Sequence, residues 1–156
     1  MEIRRAKEKD IPTICSLLEQ VLTVHHNGRP DIFKSGCKKY TENELKPMIS
    51  DDENPIFVAE NATRVLGYVF CKIHEHKNLN VLQNVKTLYI DDLCVDESSR
   101  GEGIGAALYK HARDYAKAIG CYNLTLNVWE CNPGAKRFYE KMGLLPQKTV
   151  METILQ

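Results

Sequence analysis

Apolar and polar positions along the chain divide it into ten elements. Residues 2–5 alternate as a short strand. Ile11, Ile14, Leu18, Val21 and Leu22 then fall on one helical stripe, with Asp10 as the expected N-cap and Pro12 in the first turn. Asn27-Gly28 ends that helix, and Asp31 to Lys34 reads as a single helical turn. Thr41 and Glu44 stand at capping-box spacing and open a second helix through Ile49, which Pro47 should shorten or kink. Ile56 to Glu60 and Val65 to His74 form a hairpin across Asn61-Ala62-Thr63. After a polar loop at 75–84, Lys86 to Val95 is the next strand. Ile104, Leu108, Ala112, Tyr115 and Ile119 mark the buried face of a long helix stopped by Gly120. Leu124 to Val128 alternates as a strand, Asn132-Pro133 opens a helix that closes at Met142, and Gln147 to Ile154 reads as a last strand.

The order is β-α-α-β-β-β-α-β-α-β. An antiparallel meander that runs into a β-α-β unit predicts an α/β (α+β) fold, with a mixed, mostly antiparallel central sheet flanked by helices. No linker or internal repeat interrupts it, so residues 1–156 are expected to form one domain.

Charge narrows the partners. The chain has 21 basic and 21 acidic residues and no net charge, which argues against nucleic acid. No apolar run approaches the roughly 20 residues of a membrane span, and the first residues lack the apolar core of a signal peptide. A cytoplasmic protein without membrane contact is expected. The six cysteines are scattered with no C-x-x-C, which suits reduced thiols, and Cys15, Cys71 and Cys94 lie in apolar runs as small core residues.

Candidate chemistry begins where the strand ending at Val95 becomes the helix starting at Ile104. Gly101, Gly103 and Gly105 leave main-chain N–H groups bare at the positive end of a helix dipole, and Arg100 adds a permanent charge. A nucleotide P-loop would need Gly-Lys-Ser/Thr, but Gly105 is followed by Ala106 and Ala107. A dinucleotide fingerprint would need G-x-G-x-x-G and an acid ending the next strand, and both are missing. Arg100, Gly103 and Gly105 instead satisfy Arg-x-x-Gly-x-Gly, which resembles the acyl-CoA pyrophosphate loop of the GNAT superfamily of N-acetyltransferases. A tight strand-to-helix turn with no ligand is the plain alternative. About 30 residues on, Asn132-Pro133-Gly134-Ala135-Lys136-Arg137-Phe138-Tyr139-Glu140-Lys141-Met142-Gly143 resembles the second GNAT signature, Asn-x-x-Ala-x-x-Phe-Tyr-x-x-x-Gly. The element order is also GNAT-like, so the resemblance covers nearly the whole chain.

The resemblance implies acetyl-CoA as co-substrate and direct acetyl transfer to a primary amine, without a metal. Arg100, Gly101, Glu102, Gly103, Ile104, Gly105 and Ala106 would hold the pyrophosphate. Leu93, Cys94 and Val95 would pair their backbone with the pantetheine amides as an added strand does. Asn132 would cap its helix and touch the pantetheine arm. Tyr139 would act as general acid beside the CoA sulfur; with a thiol near ~8.5 and a tyrosine near ~10, that donation is nearly matched. Cys94 is not expected to be a nucleophile, since holding amine and thioester together suffices.

On the acceptor side, Asp91 and Asp92 would fall on opposite faces of a regular strand. The stretch Tyr89-Ile90-Asp91-Asp92-Leu93-Cys94-Val95 resembles polyamine and other small-amine acetyltransferases, in which an acid matching Asp91 helps remove the amine proton. An amine of pKa ~10.4 costs about 4.6 kcal/mol to deprotonate at pH 7, and a carboxylate of pKa ~3.9 is a poor direct acceptor, so Asp91 or Asp92 is expected to attract the ammonium and pass its proton along waters to solvent. Tyr89, and His26, Asp31 and Phe33 after the first helix, are candidate acceptor contacts; the plain alternative for the last three is a solvated helix end and loop. Trp129 either walls the cleft or covers the core. His74-x-His76 has no third ligand to make a metal site. Two other readings stay open: a non-catalytic acyl-CoA-binding regulator on the same fold, and an acyltransferase using a longer acyl-CoA. The amine, small-molecule or peptide, is not specified, and a homodimer rests on family analogy alone.

Overall fold

The computed structural model describes residues 1–155. It contains β1 (Glu2–Arg5), α1 (Ile11–Gly28), α2 (Glu42–Ile49), β2 (Ile56–Glu60), β3 (Val65–His76), β4 (Val85–Val95), α3 (Ile104–Ala118), β5 (Asn123–Leu126) and α4 (Pro133–Lys141). The strands form one sheet in the order β1-β2-β3-β4-β5. Every pairing is antiparallel except β4 with β5, which α3 joins as a parallel crossover. The mixed, mostly antiparallel sheet is thus the one expected.

Alternation along the strands builds two cores. On one face, Ile14, Leu17 and Leu18 of α1 and Leu45 of α2 pack on Val58, Tyr68 and Phe70. On the other, Leu108, Ala112 and Ala116 of α3 pack on Phe57, Ala59, Val69, Leu88 and Ile90, with Phe138 and Met142 of α4 beside them. Among the described residues no helix is long and apolar enough to cross a membrane.

Three local expectations are corrected. Asp10 does not cap α1: its carboxylate accepts the Lys7 N–H at 2.8 Å and pairs with Arg4 at 2.7 Å, closing the short turn before the helix. Asp31–Lys34 is a turn rather than a helix, closed by Ile32 and Phe33 N–H groups on Arg29 O, both at 3.0 Å. The last strand does not form. Residues 145–155 have no regular structure, and Val150, Met151, Ile154 and Leu155 are exposed. A period-two pattern makes a strand only where a sheet edge and a buried face receive it, and β5 ends after four residues, at Leu126 rather than Val128. The Thr41–Glu44 capping box of α2 is formed, with Thr41 N–H on Glu44 Oε2 at 2.7 Å.

Candidate active site

The site is organised by a bulge in β4. Cys71 pairs with Ile90 and Phe70 with Asp92, so Asp91 is the extra residue between them. One added residue reverses the alternation. Leu88 and Ile90 face the α3 core before it, and Leu93 and Val95 face the same core after it. Asp91 and Asp92 therefore share the α1–α2 face, as their partners show, and the expectation of opposite faces does not hold. The bulge shows only in the pairing of β4 with β3, which periodicity along β4 cannot reveal.

The two carboxylates are handled differently. Asp91 Oδ2 accepts the Tyr40 hydroxyl at 2.7 Å and meets Lys39 Nζ at 2.9 Å, while Oδ1 meets Lys72 Nζ at 3.1 Å. Burial pushes its carboxyl up, but Tyr40 and the two ammonium groups outweigh this and hold it below the usual range. Asp92 accepts only one side-chain bond, from Tyr68 at 3.0 Å. Burial raises its carboxyl to about 6, against the opposing pull of Lys39 and Tyr68. Asp92 thus titrates closer to neutrality than an ordinary carboxylate, while Asp91 stays ionised between two ammonium groups.

Beside them the sheet opens. β4 pairs with β5 only from Thr87 to Ile90. Asp96 N–H bonds to Leu66 O on β3 at 2.8 Å, and successive residues of a strand turn their main-chain groups to opposite sides. Leu93 and Val95 consequently direct theirs to the open edge, where Val95 O accepts Arg100 Nε at 3.3 Å. Cys94 is buried, and burial pushes its thiol up to about 12, which removes it as a nucleophile.

The open edge leads into the glycine turn. Gly101 and Gly103 sit at φ 86° and 79°, a left-handed geometry that favours glycine. The first main-chain bond of α3 runs from Ala107 N–H to Gly103 O at 3.0 Å. Among the described residues, the N–H groups of Gly103, Ile104, Gly105 and Ala106 have no acceptor. Arg100 and Glu102 are exposed at the rim. A Cβ on Gly105 would stand 3.4 Å from Phe138 Cζ, so this glycine also lets α4 close on α3.

That contact positions α4. Asn132 Oδ1 accepts Ala135 N–H at 3.1 Å, capping the helix ahead of Pro133. Further along α4, the Tyr139 hydroxyl has no partner among the described residues, and no buried side-chain oxygen there is left unbonded, so its oxygen is not fully buried. Burial, then the nearby Asp92 and Cys94, raise its pKa well above the ordinary value. The near match expected between phenol and thiol is therefore revised: Tyr139 stays protonated and donates a hydrogen bond more readily than a whole proton.

The candidate acceptor contacts cluster where α1 meets the loop after β5. Phe33 stacks on His25 with centroids 5.0 Å apart and meets Trp129 edge-on at 5.1 Å. His26 Nδ1 holds Phe33 O at 2.7 Å, so it fixes this loop. A Cβ on Gly28 would lie 2.7 Å from Cys131 Sγ, which shows how closely the two segments approach. Asp31 is turned aside and bound to Arg29, with Nη2 at 2.8 Å. Tyr89 stacks on His74 at 5.5 Å. Among the described residues no group of three His, Cys, Asp or Glu side chains could hold a metal ion. Lys39, Tyr40, Tyr68 and Lys72 escaped the sequence reading. Tyr68 and Lys72 share a strand face with Phe70 and could have been found by period two; Lys39 and Tyr40 arrive from a loop without any such signal.

Comparison with known proteins agrees with this fold. The model of the acetyltransferase (GNAT) family matches residues 19–144. An uncharacterized N-acetyltransferase of Archaeoglobus fulgidus is 31% identical over 144 residues, covering 92% of both chains. Another, of Methanocaldococcus jannaschii, is 32% identical over 113 residues, or 72% of this chain and only 49% of that longer protein. A probable glucosamine 6-phosphate N-acetyltransferase of Oryza sativa subsp. japonica is 29% identical over 126 residues, covering 75% of this chain and 72% of that one. The crystal structure of a variant of the BH1408 protein from Bacillus halodurans superposes with a TM-score of 0.96, at 31% identity and full coverage of both chains. The chain therefore belongs to the GNAT family of acetyltransferases and is by that membership an acyltransferase.

Proposed function

We propose that the protein transfers the acetyl group of acetyl-CoA to a primary amine. The reading is supported by a path we infer along β4: from the unpaired N–H groups at 103–106, past the edge that β5 leaves open, to Asp92, whose charge acts on Tyr139. The N–H groups suit a diphosphate at a helix N-terminus. Leu93 and Val95 suit an extended chain that carries amides. Acetyl-CoA supplies the thioester carbonyl at the end of that path.

The rest is done by side chains. The amine nitrogen forms a bond to the carbonyl carbon and the C–S bond breaks, giving an amide and free CoA. Attack makes the amine far more acidic, and Asp92, with its carboxyl near 6, is mostly ionised at pH 7 and takes that proton directly or through one water. The Tyr139 phenol donates a hydrogen bond to the departing thiolate, which takes its proton from solvent, and Asp92 returns the amine proton to solvent. The rice relative's name includes an amino sugar phosphate, and such an acceptor offers the primary amine this chemistry needs.

Thiol release from acetyl-CoA across an amine panel tests the reading. At least one amine should be turned over, with kcat lowered by about 100-fold in Tyr139→Phe. Tight acetyl-CoA binding with no turnover of any amine would favour a regulatory module, and turnover only with a longer acyl-CoA would change the donor.

A further inference from the structure

We propose that the acceptor is an amine that carries an anionic group, a carboxylate or a phosphate, and that Lys39 and Lys72 bind that group. This rests on the amine-acetylation reading above. Two ammonium groups converge on the single carboxylate of Asp91 and neither is bonded to Asp92, so the positive charge of the cluster lies on its exposed side. Their arrangement directs that charge outward. Asp91 is 9% exposed, whereas Lys39 and Lys72 are 40% and 35% exposed. The carboxylate lies beneath, and the ammonium groups face solvent above it.

Their hydrogen bonds leave capacity to spare. Lys39 Nζ meets Asp91 O at 3.0 Å and Asp91 Oδ2 at 2.9 Å. Lys72 Nζ meets Asp91 Oδ1 at 3.1 Å and the Tyr40 hydroxyl at 3.3 Å. An ammonium has three donors, so each lysine keeps one unused N–H. Two charged donors held by a common anchor match the oxygens of a carboxylate or phosphate.

The location is right for recognition. The Lys39 charge acts on Asp92, where it opposes the rise in the carboxyl's pKa, and on His25, where it adds to the effect of burial. It is therefore near enough to act on both the proposed base and His25, which stacks on Phe33. An amine delivered to Asp92 would bring a nearby substituent within reach of both lysines. The same cluster disfavours a polycation. Asp91, which could have attracted one, is already paired with two lysines, and their exposed ammonium groups stand where a second positive group of the acceptor would approach. The resemblance of this stretch to polyamine acetyltransferases thus does not extend to its electrostatics.

The experiment compares matched acceptors with the wild-type protein at saturating acetyl-CoA, by thiol release. Alanine is paired with ethylamine, glucosamine 6-phosphate with glucosamine, and spermidine is the polycation. The anionic member of at least one pair should have a kcat/KM at least tenfold higher, mainly through KM, and which pair shows it separates carboxylate from phosphate. That ratio should fall toward one in Lys72→Met and Lys39→Met and be retained in Lys72→Arg. The wild-type comparison needs no variant, so a folding defect does not blunt it. Equal or greater activity on the neutral amines or spermidine overturns this inference and leaves amine acetylation standing. No thiol release with any amine overturns both.

Discussion

Tyr68 reaches across from β3 and donates its hydroxyl to Asp92 Oδ2 at 3.0 Å, from a side chain with no solvent exposure. One neutral donor cannot replace the hydration that a carboxylate loses on burial. That shortfall lifts Asp92 to about 6, while its neighbour Asp91, bound by two lysines and a tyrosine, stays below the ordinary range. Two adjacent acids are thus given different proton affinities by what each can touch.

Activity should follow the ionised form of Asp92. In wild type, kcat/KM is expected to fall about tenfold per pH unit below pH about 6. Asp92→Asn should lose at least 100-fold at pH 7.5 and lose that acidic limb as well. Asp91→Asn should keep the limb, because Asp91 does not titrate there. A limb that survives in Asp92→Asn would remove Asp92 as the base.

The same burial has a cost in stability. The folded pKa of Asp92 is raised, so the protonated form is favoured in the fold. Its contribution is fully present below the unfolded value near ~3.9 and is lost as pH rises through about 6. Between those limits a shift of about two units amounts to about 3 kcal/mol. Asp92→Asn keeps an acceptor for Tyr68 and removes the charge. It should therefore melt higher than wild type at pH 8 and match it near pH 4. Differential scanning calorimetry across that range checks this, and an equal deficit at both pH values would contradict it.

Local patterns carried most of the architecture. The stripe from Ile104 to Ala116 and the alternation of β2 and β3 each repeat at one period, so the elements could be read without their neighbours. The glycine turn was legible for the same reason, since its chemistry is in its own backbone. What escaped depends on other strands. The bulge at Asp91 exists only in the register with Cys71 and Phe70, and a one-residue slip moves every later side chain to the other face. Lys39 and Tyr40 reach Asp91 from 52 and 51 residues away in sequence. The tail at 145–155 has a strand-like composition but no edge that receives it.

Two glycines should respond differently to the same substitution. Gly103 has φ 79° with nothing within 4 Å of an added Cβ, so Gly103→Ala should cost about 1 kcal/mol of backbone strain and leave the fold intact. Any loss of CoA affinity would then report the altered turn itself, measured by calorimetry. Gly67 lies where β3 and β4 press together, and its Cβ would meet Cys94 O at 2.6 Å, a backbone atom that cannot move aside alone. Gly67→Ala should cost about 3 kcal/mol and displace the strand that bears Asp92. Urea melts of the two variants rank them, and a milder effect at Gly67 than at Gly103 would contradict this packing.

Arg4 ties the first strand to the rest of the sheet. Its guanidinium meets Asp10 at 2.7 and 3.0 Å and Glu60 Oε1 at 2.7 Å, and Asp10 is buried. Burial raises the Asp10 carboxyl, but Arg4 and the Lys7 N–H outweigh it and leave it below its ordinary value. Arg4→Met keeps the length of the side chain but strands that carboxylate, which should cost about 3 kcal/mol at pH 7. A depressed carboxyl adds stability above its unfolded pKa and loses it as pH falls through the folded one. The gap between wild type and variant should accordingly narrow below pH ~4. Urea denaturation at pH 7 and pH 3 measures it; a gap of equal size at both would assign the loss to packing of the Arg4 stem rather than to its charge.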